Sequence, residues 1–114
     1  MLIAALNIWQ KDIDLVMLVY RVTGQFPETE RYGLSAQMRR ASVSVPSNVA
    51  EGFRRGRSKE FKQFLNISLG SLAELETQIV IAEGLRYLDE RAEADLLEHI
   101  DHTSRMISSL IKRL

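Results

Sequence analysis

The chain contains no cysteine, which excludes a disulfide framework, a thiolate metal site and a cysteine nucleophile, and fits a reducing compartment. Proline occurs twice, at Pro27 and Pro46, so most of the chain is free to be helical. Aromatic residues make up 7% and form no aromatic-rich RNA-binding motif, so nucleic-acid binding would be led by shape and charge rather than base reading. No charge sign predominates: fifteen basic and fifteen acidic residues cancel, and bulk charge argues for no partner. The N-terminal stretch Met1–Asp14 lacks a basic n-region, and no apolar run is long enough for a signal peptide or a membrane span. A cytoplasmic protein with no membrane partner is the expectation. Only two histidines are present, His99 and His102, and no glycine-rich phosphate loop follows a strand. No nucleophile–base pair can be nominated. The chain is expected to be no enzyme, with no cofactor and no small-molecule substrate.

What is there is helix. At 114 residues, 46% hydrophobic and 26% charged, the chain has the size and composition of one domain spanning residues 1–114. From about Asn7 to Thr23, the residues Trp9, Ile13, Val16 and Tyr20 recur at helical spacing and read as a core stripe. Leu15, Leu18, Val19 and Val22 widen the apolar surface past half the circumference, so this helix is expected to be buried on two sides. In so small a protein the second side would be another subunit, with those four residues as its interface. Gly24 and Pro27 end the helix.

A second helix is expected from Ser35, as N-cap, to about Arg55, with Met38, Ser42, Val45, Val49 and Gly52 on one face. Pro46 lies inside it, at a cost of about 3 kcal/mol for an interior position. Because the periodicity resumes in phase, the expectation is one helix kinked at Pro46 rather than two fragments. Gly56 reads as its C′ residue, and Ser58 caps the next helix at once, giving an antiparallel hairpin. The third helix carries Phe61, Leu65, Ser68, Leu72, Leu75, Ile79 and Ala82 at alternating spacings of four and three. Gly70 interrupts it, which reads as close helix approach. A fourth helix, about Glu90 to Arg113, carries Leu96, Ile100, Thr103, Ile107, Leu110 and Leu114. Met17, Met38 and Met106 read as core. The pattern predicts an all-α, antiparallel up-down four-helix bundle.

Charge is segregated along this bundle. Arg39 to Lys62 holds seven basic residues against two acidic, and Glu74 to Asp101 nine acidic against two basic. An antiparallel pairing about Gly56 and Arg57 brings together residues whose numbers sum to about 113 or 114. It therefore sets Arg40 opposite Glu74, Glu51 opposite Lys62 and Gln37 opposite Glu76 as structural pairs, and leaves Arg39 without an assigned partner. Arg54, Arg55, Arg57 and Lys59 have no such acids facing them. Up-down topology gathers them at one end with Lys11, Lys112 and Arg113, while Glu28, Glu30, Glu83, Asp89, Glu90 and Glu93 collect at the other. A ring would multiply the basic end into a surface suited to phosphates; the other reading of the same cluster is a solvated tip. Asp95–His99 and Glu98–His102 share helical spacing, but neither histidine has a glutamate three positions before it, so a bundle di-iron site fails and no metal is expected.

The segment Phe26–Gln78 carries a specific order of elements. They are Phe26–Pro27, Arg31–Leu34, Gln37, Arg39–Arg40, Ser44–Asn48, Ala50–Gly52, Ser58, Glu60–Phe61, Phe64–Leu65, Gly70–Leu72 and Glu74–Thr77, followed more loosely by Tyr87–Leu88. This resembles the four-helix-bundle family of proteins encoded in intervening sequences of bacterial 23S rRNA genes. The resemblance implies an antiparallel bundle that assembles as a ring, typically a homopentamer, with a role in binding RNA or DNA and no catalytic residues. Related bundles serve as accessory factors to retroelement reverse transcriptases, so the alternative is a structural or protein-interaction scaffold without nucleic-acid binding of its own.

Overall fold

A computed structural model describes all 114 residues as four α-helices joined by short connections. They are α1 (Leu2–Thr23), α2 (Leu34–Arg54), α3 (Ser58–Gly84) and α4 (Glu90–Arg113), with a single 3-10 turn at Glu28–Glu30. Each helix packs antiparallel on the next, α1 also packs on α4, and α1 and α3 lie across the diagonal of the bundle. The bundle measures 43 × 24 × 18 Å. No helix is long and apolar enough to cross a membrane.

The core is one cluster built from a stripe on each helix. On α2 the buried residues include Met38, Ser42, Val45, Val49 and Gly52. On α3 they include Phe61, Leu65, Ser68, Leu72, Leu75, Ile79 and Ala82, and on α4 Leu96, Ile100, Thr103, Ile107 and Leu110. These are the expected stripes. The α2–α3 register also holds: Ser68 donates to the Val45 carbonyl at 2.9 Å, and the Ser71 and Ser44 hydroxyls meet at 2.9 Å. Gly52 permits the approach, since a Cβ there would stand 2.6 Å from Phe64 Cβ. α2 runs unbroken through Pro46.

On α1 the phase differs from expectation. The buried residues are Ala5, Ile8, Asp12, Leu15, Val19 and Thr23, whereas Trp9 and Tyr20 are exposed and Ile13 and Val16 half-buried. Leu15 and Val19 are therefore core residues, and Leu18 and Val22 pack half-buried against that core, so these four do not form an outer interface. The apolar surface does wrap α1, but its outer part is Leu2, Leu6, Trp9, Ile13, Val16 and Tyr20. Met17 is exposed as well, not core. Gly70 meets no close helix either, because a Cβ on it would find nothing within 4 Å.

The caps also differ. The N-cap of α2 is Gly33, with Ser35 buried inside the helix, and the Leu34 amide donates to Glu30 Oε1 at 3.0 Å. Glu30 Oε2 accepts the Tyr87 hydroxyl at 2.8 Å, and Phe26 stacks on Tyr87 with ring centroids 5.4 Å apart. Those bonds hold the Glu30 carboxyl below the usual glutamate range, the Leu34 amide being the larger cause. The α1–α2 connection is thereby fastened to the link between α3 and α4.

Candidate nucleic-acid interface

The α2–α3 hairpin tip is shaped by its sequence. The Arg55 and Gly56 amides close the last turn of α2 onto the Gly52 and Phe53 carbonyls, each at 3.3 Å. Gly56 then turns the chain at φ 76°, a left-handed conformation that glycine adopts without strain. Arg57 is extended and α3 begins at Ser58, which is the first helical residue rather than the cap. Beneath the tip, Phe53 and Phe61 meet edge to face at 5.9 Å. The first turn of α3 has no side-chain cap, so its amides add positive potential to the tip.

Arg54, Arg55, Arg57 and Lys59 are all exposed there. They are not equally free. Arg55 lies between Glu51 at 3.2 Å and Glu60 at 3.7 Å, with its guanidinium 5.1 Å from the Phe64 ring centroid. Arg57 Nε is 3.9 Å from Glu60. The expectation that no acids face this cluster is thus corrected for Arg55 and Arg57, because Glu51 and Glu60 lie one helical turn or one joint away. Arg54 and Lys59 form no ion pair, and neither do Lys112 and Arg113, exposed in the last turn of α4. Antiparallel packing puts all four at one end. Lys11 is not among them: its carbonyl lies 3.0 Å from His99 Nε2, and its side chain shares a groove between α1 and α4 with Asp95, Glu98, Asp101, His102 and Arg105. In that groove Arg105 pairs with Asp101, and no three His, Asp or Glu side chains are grouped to hold a metal ion.

Of the expected structural pairs, none forms a bond. Gln37, Arg40 and Glu74 line one groove on the α2–α3 face with Ser44 and Ser71, but the hydroxyls span it and the charges do not. Glu51 turns to Arg55 instead of Lys62, and Glu76 makes no bond to Gln37. Arg39, unassigned in the sequence, donates to Thr23 Oγ1 at 2.9 Å and to the Tyr20 carbonyl at 3.3 Å, with its guanidinium 4.5 Å from the Tyr20 ring centroid. It clips α2 to the end of α1.

Sequence reasoning missed Asp12. It is fully buried, with Oδ1 accepting from Thr103 Oγ1 of α4 and Oδ2 unpartnered. The available signal was its phase: Asp12 falls on the stripe of Ala5, Ile8, Leu15 and Val19.

Up-down bundle, short joints and a cation-rich hairpin end define a class of small helical-bundle proteins. The chain belongs to the 23S rRNA-intervening sequence protein family, whose model matches residues 4–109. Among solved structures, it is similar to a crystal structure of a protein with unknown function from the S23 ribosomal protein family of Bacteroides thetaiotaomicron. The TM-score is 0.86 at 18% identity, covering 96% of this chain and 98% of that one. At that identity the likeness shows the fold alone. No curated protein matches the chain.

Proposed function

We propose that this protein acts by binding rather than catalysis, as a ring-forming homo-oligomer whose basic end docks on structured RNA or DNA. Five subunits is the size the family resemblance implies. The observation that carries the reading is the group Arg54, Lys59, Lys112 and Arg113, four cations without ion pairs at one end of the bundle. Phosphates approaching that end would release counterions, and a ring would repeat the group around an axis. Membership in a family named for rRNA intervening sequences is consistent with such a partner.

The test is binding of a structured RNA and a duplex DNA at low salt, followed by fluorescence anisotropy. Arg54→Glu combined with Lys59→Glu is expected to weaken binding at least tenfold, with the helical circular dichroism and the oligomeric mass unchanged. Undiminished binding by that variant would overturn the reading. A second reading, a scaffold for another protein, is favoured by the exposed side chains of Leu2, Ile3, Leu6 and Trp9. No response to either nucleic acid from an intact oligomer would select it.

A further inference from the structure

Three aromatic side chains are exposed, and two of them are covered by a cation from the chain itself. The Arg39 guanidinium stands 4.5 Å from the Tyr20 ring centroid, and that of Arg31 stands 5.5 Å from the centroid of Tyr32. Such cover is favourable because the face of an aromatic ring attracts positive charge. Trp9, the single tryptophan, is 38% exposed and has none. No arginine lies over its ring and no aromatic neighbour stacks on it.

Trp9 lines a cleft of about 250 Å³ between the first turns of α1 and the last turns of α2. Buried Ala5 and Val49 floor it, exposed Leu2, Leu6 and Trp9 form its rim, and Arg54 is its one polar residue. Arg54 is exposed and pairs with no acid of the chain. The volume lies below the ~300–1,000 Å³ of pockets that take a drug-sized molecule, so the cleft suits one ring system rather than a whole cofactor. It offers an apolar, aromatic wall and one cation side by side. An aliphatic chain would draw nothing from the indole that a leucine could not supply. A paired helix would use the cation alone, because its bases are stacked inside it. A nucleotide outside a helix uses both, its base against the indole and its phosphate on the guanidinium. Lys59, Lys112 and Arg113 at the same end extend the positive potential to the flanking phosphates.

We infer that this cleft takes one unpaired nucleobase, stacked on Trp9 with its phosphate on Arg54. The partner of the basic end is then a helix interrupted by a bulge or a loop. This rests on the docking proposed above and names its substrate class. Stacking of this kind tolerates any base, which agrees with a chain that has no base-reading motif. Apolar rim and free cations become one footprint, with no separate protein partner needed for the rim.

The single tryptophan is its own reporter. The probes are a blunt RNA duplex with a one-nucleotide purine bulge and the same duplex without it, at low salt. The bulged RNA is expected to quench Trp9 emission as it saturates, and the paired duplex to bind without quenching. Trp9→Leu keeps the cleft apolar and is expected to weaken binding of the bulged RNA about tenfold, to the level of the paired duplex. Trp9→Tyr is expected to keep most of the preference. Should Trp9→Leu fail to fold by circular dichroism, the quenching comparison on the unaltered chain decides alone. Bulged RNA that binds without quenching, or binds Trp9→Leu as tightly, overturns the base cleft while leaving docking of the basic end standing. Emission that answers dodecanoate but not the bulged RNA assigns the cleft to an aliphatic anion, and emission that shifts on dilution of the protein alone assigns it to a neighbouring copy. Either result overturns the inference. Binding of neither RNA overturns the docking itself.

Discussion

Asp12 has one good hydrogen bond, from Thr103, for two buried carboxylate oxygens. Burial is the main cause that pushes its pKa up from 3.8 to about 7, and the Thr103 bond pulls part of the way back. The folded chain therefore holds a proton between those values that the unfolded chain has released. The associated stability is fully present below about pH 4 and is lost as pH rises through about 7. Across the full span the loss is on the order of 4 kcal/mol at most. Urea denaturation is expected to find the bundle weaker at pH 8 than at pH 5, and Asp12→Asn is expected to flatten that slope and raise the midpoint at pH 8. An unchanged slope in the variant would assign the effect to other groups. Gly52 is the opposite kind of residue, fixed by space rather than charge. Gly52→Ala drives a methyl into Phe64 Cβ and against Phe61 Cδ1, 3.0 Å away. Overpacking of this kind costs about 1–3 kcal/mol, more than the ~1 kcal/mol of helix propensity that alanine brings. A lowered urea midpoint with an unchanged slope in denaturant is the expected result.

Among the elements, α2 is the one whose regularity needs explaining, because Pro46 offers no amide to the Ser42 carbonyl. The surrounding turns are rich in side-chain donors: Ser42 to the Arg39 carbonyl at 2.8 Å, Ser47 to Val43 at 2.7 Å and Asn48 to Ser44 at 2.8 Å. From α3, buried Ser68 reaches the Val45 carbonyl next to the proline. Ser68→Ala leaves that contact unmade and is expected to lower stability by about 1–2 kcal/mol, read by thermal unfolding. The connection before α2 is held by Glu30, and Glu30→Ala is expected to speed hydrogen exchange at the Leu34 amide while leaving the α4 amides protected. How much of this the sequence disclosed depended on the helix. On α2, α3 and α4 a single apolar stripe faces a polar remainder, so period and phase were both legible. On α1 two stripes compete, and Ala5 and Asp12 lower the apparent hydrophobicity of the buried one while Trp9 and Tyr20 raise that of the exposed one. Period alone does not choose between them. The α2–α3 register was legible from the position of the turn, and Ser44–Ser71 and Val45–Ser68 obey it. The ion pairs were not, because long side chains on an outer face reach a neighbour one turn away more readily than one across the groove. Glu51–Arg55 and Asp101–Arg105 are of that kind.

At the scale of the whole molecule, a chain of zero net charge acts through where its charges sit. The free cations at the basic end are few: Arg54, Lys59, Lys62, Lys112 and Arg113 in each copy. Each neutralised duplex phosphate contributes about −0.9 to the slope of log K against log salt, so one copy acting alone is bounded at about −4.5. A ring that presents its basic end as one surface has no such bound. The expected slope for duplex binding by the assembled protein is therefore steeper than about −5. Diluted below its assembly concentration, the protein keeps every tip cation but presents one bundle at a time, and the slope is expected to fall to the single-copy bound or below, with affinity falling alongside it. Titrations at several salt concentrations, on assembled and unassembled protein, measure both. A slope equally shallow in the two would mean that the end of one bundle makes the whole contact, and that assembly serves something other than phosphate binding. A steep slope that survives disassembly would place the binding cations elsewhere on the chain, with Arg21, Arg86 and Arg91 of the opposite end exposed candidates that form no ion pair.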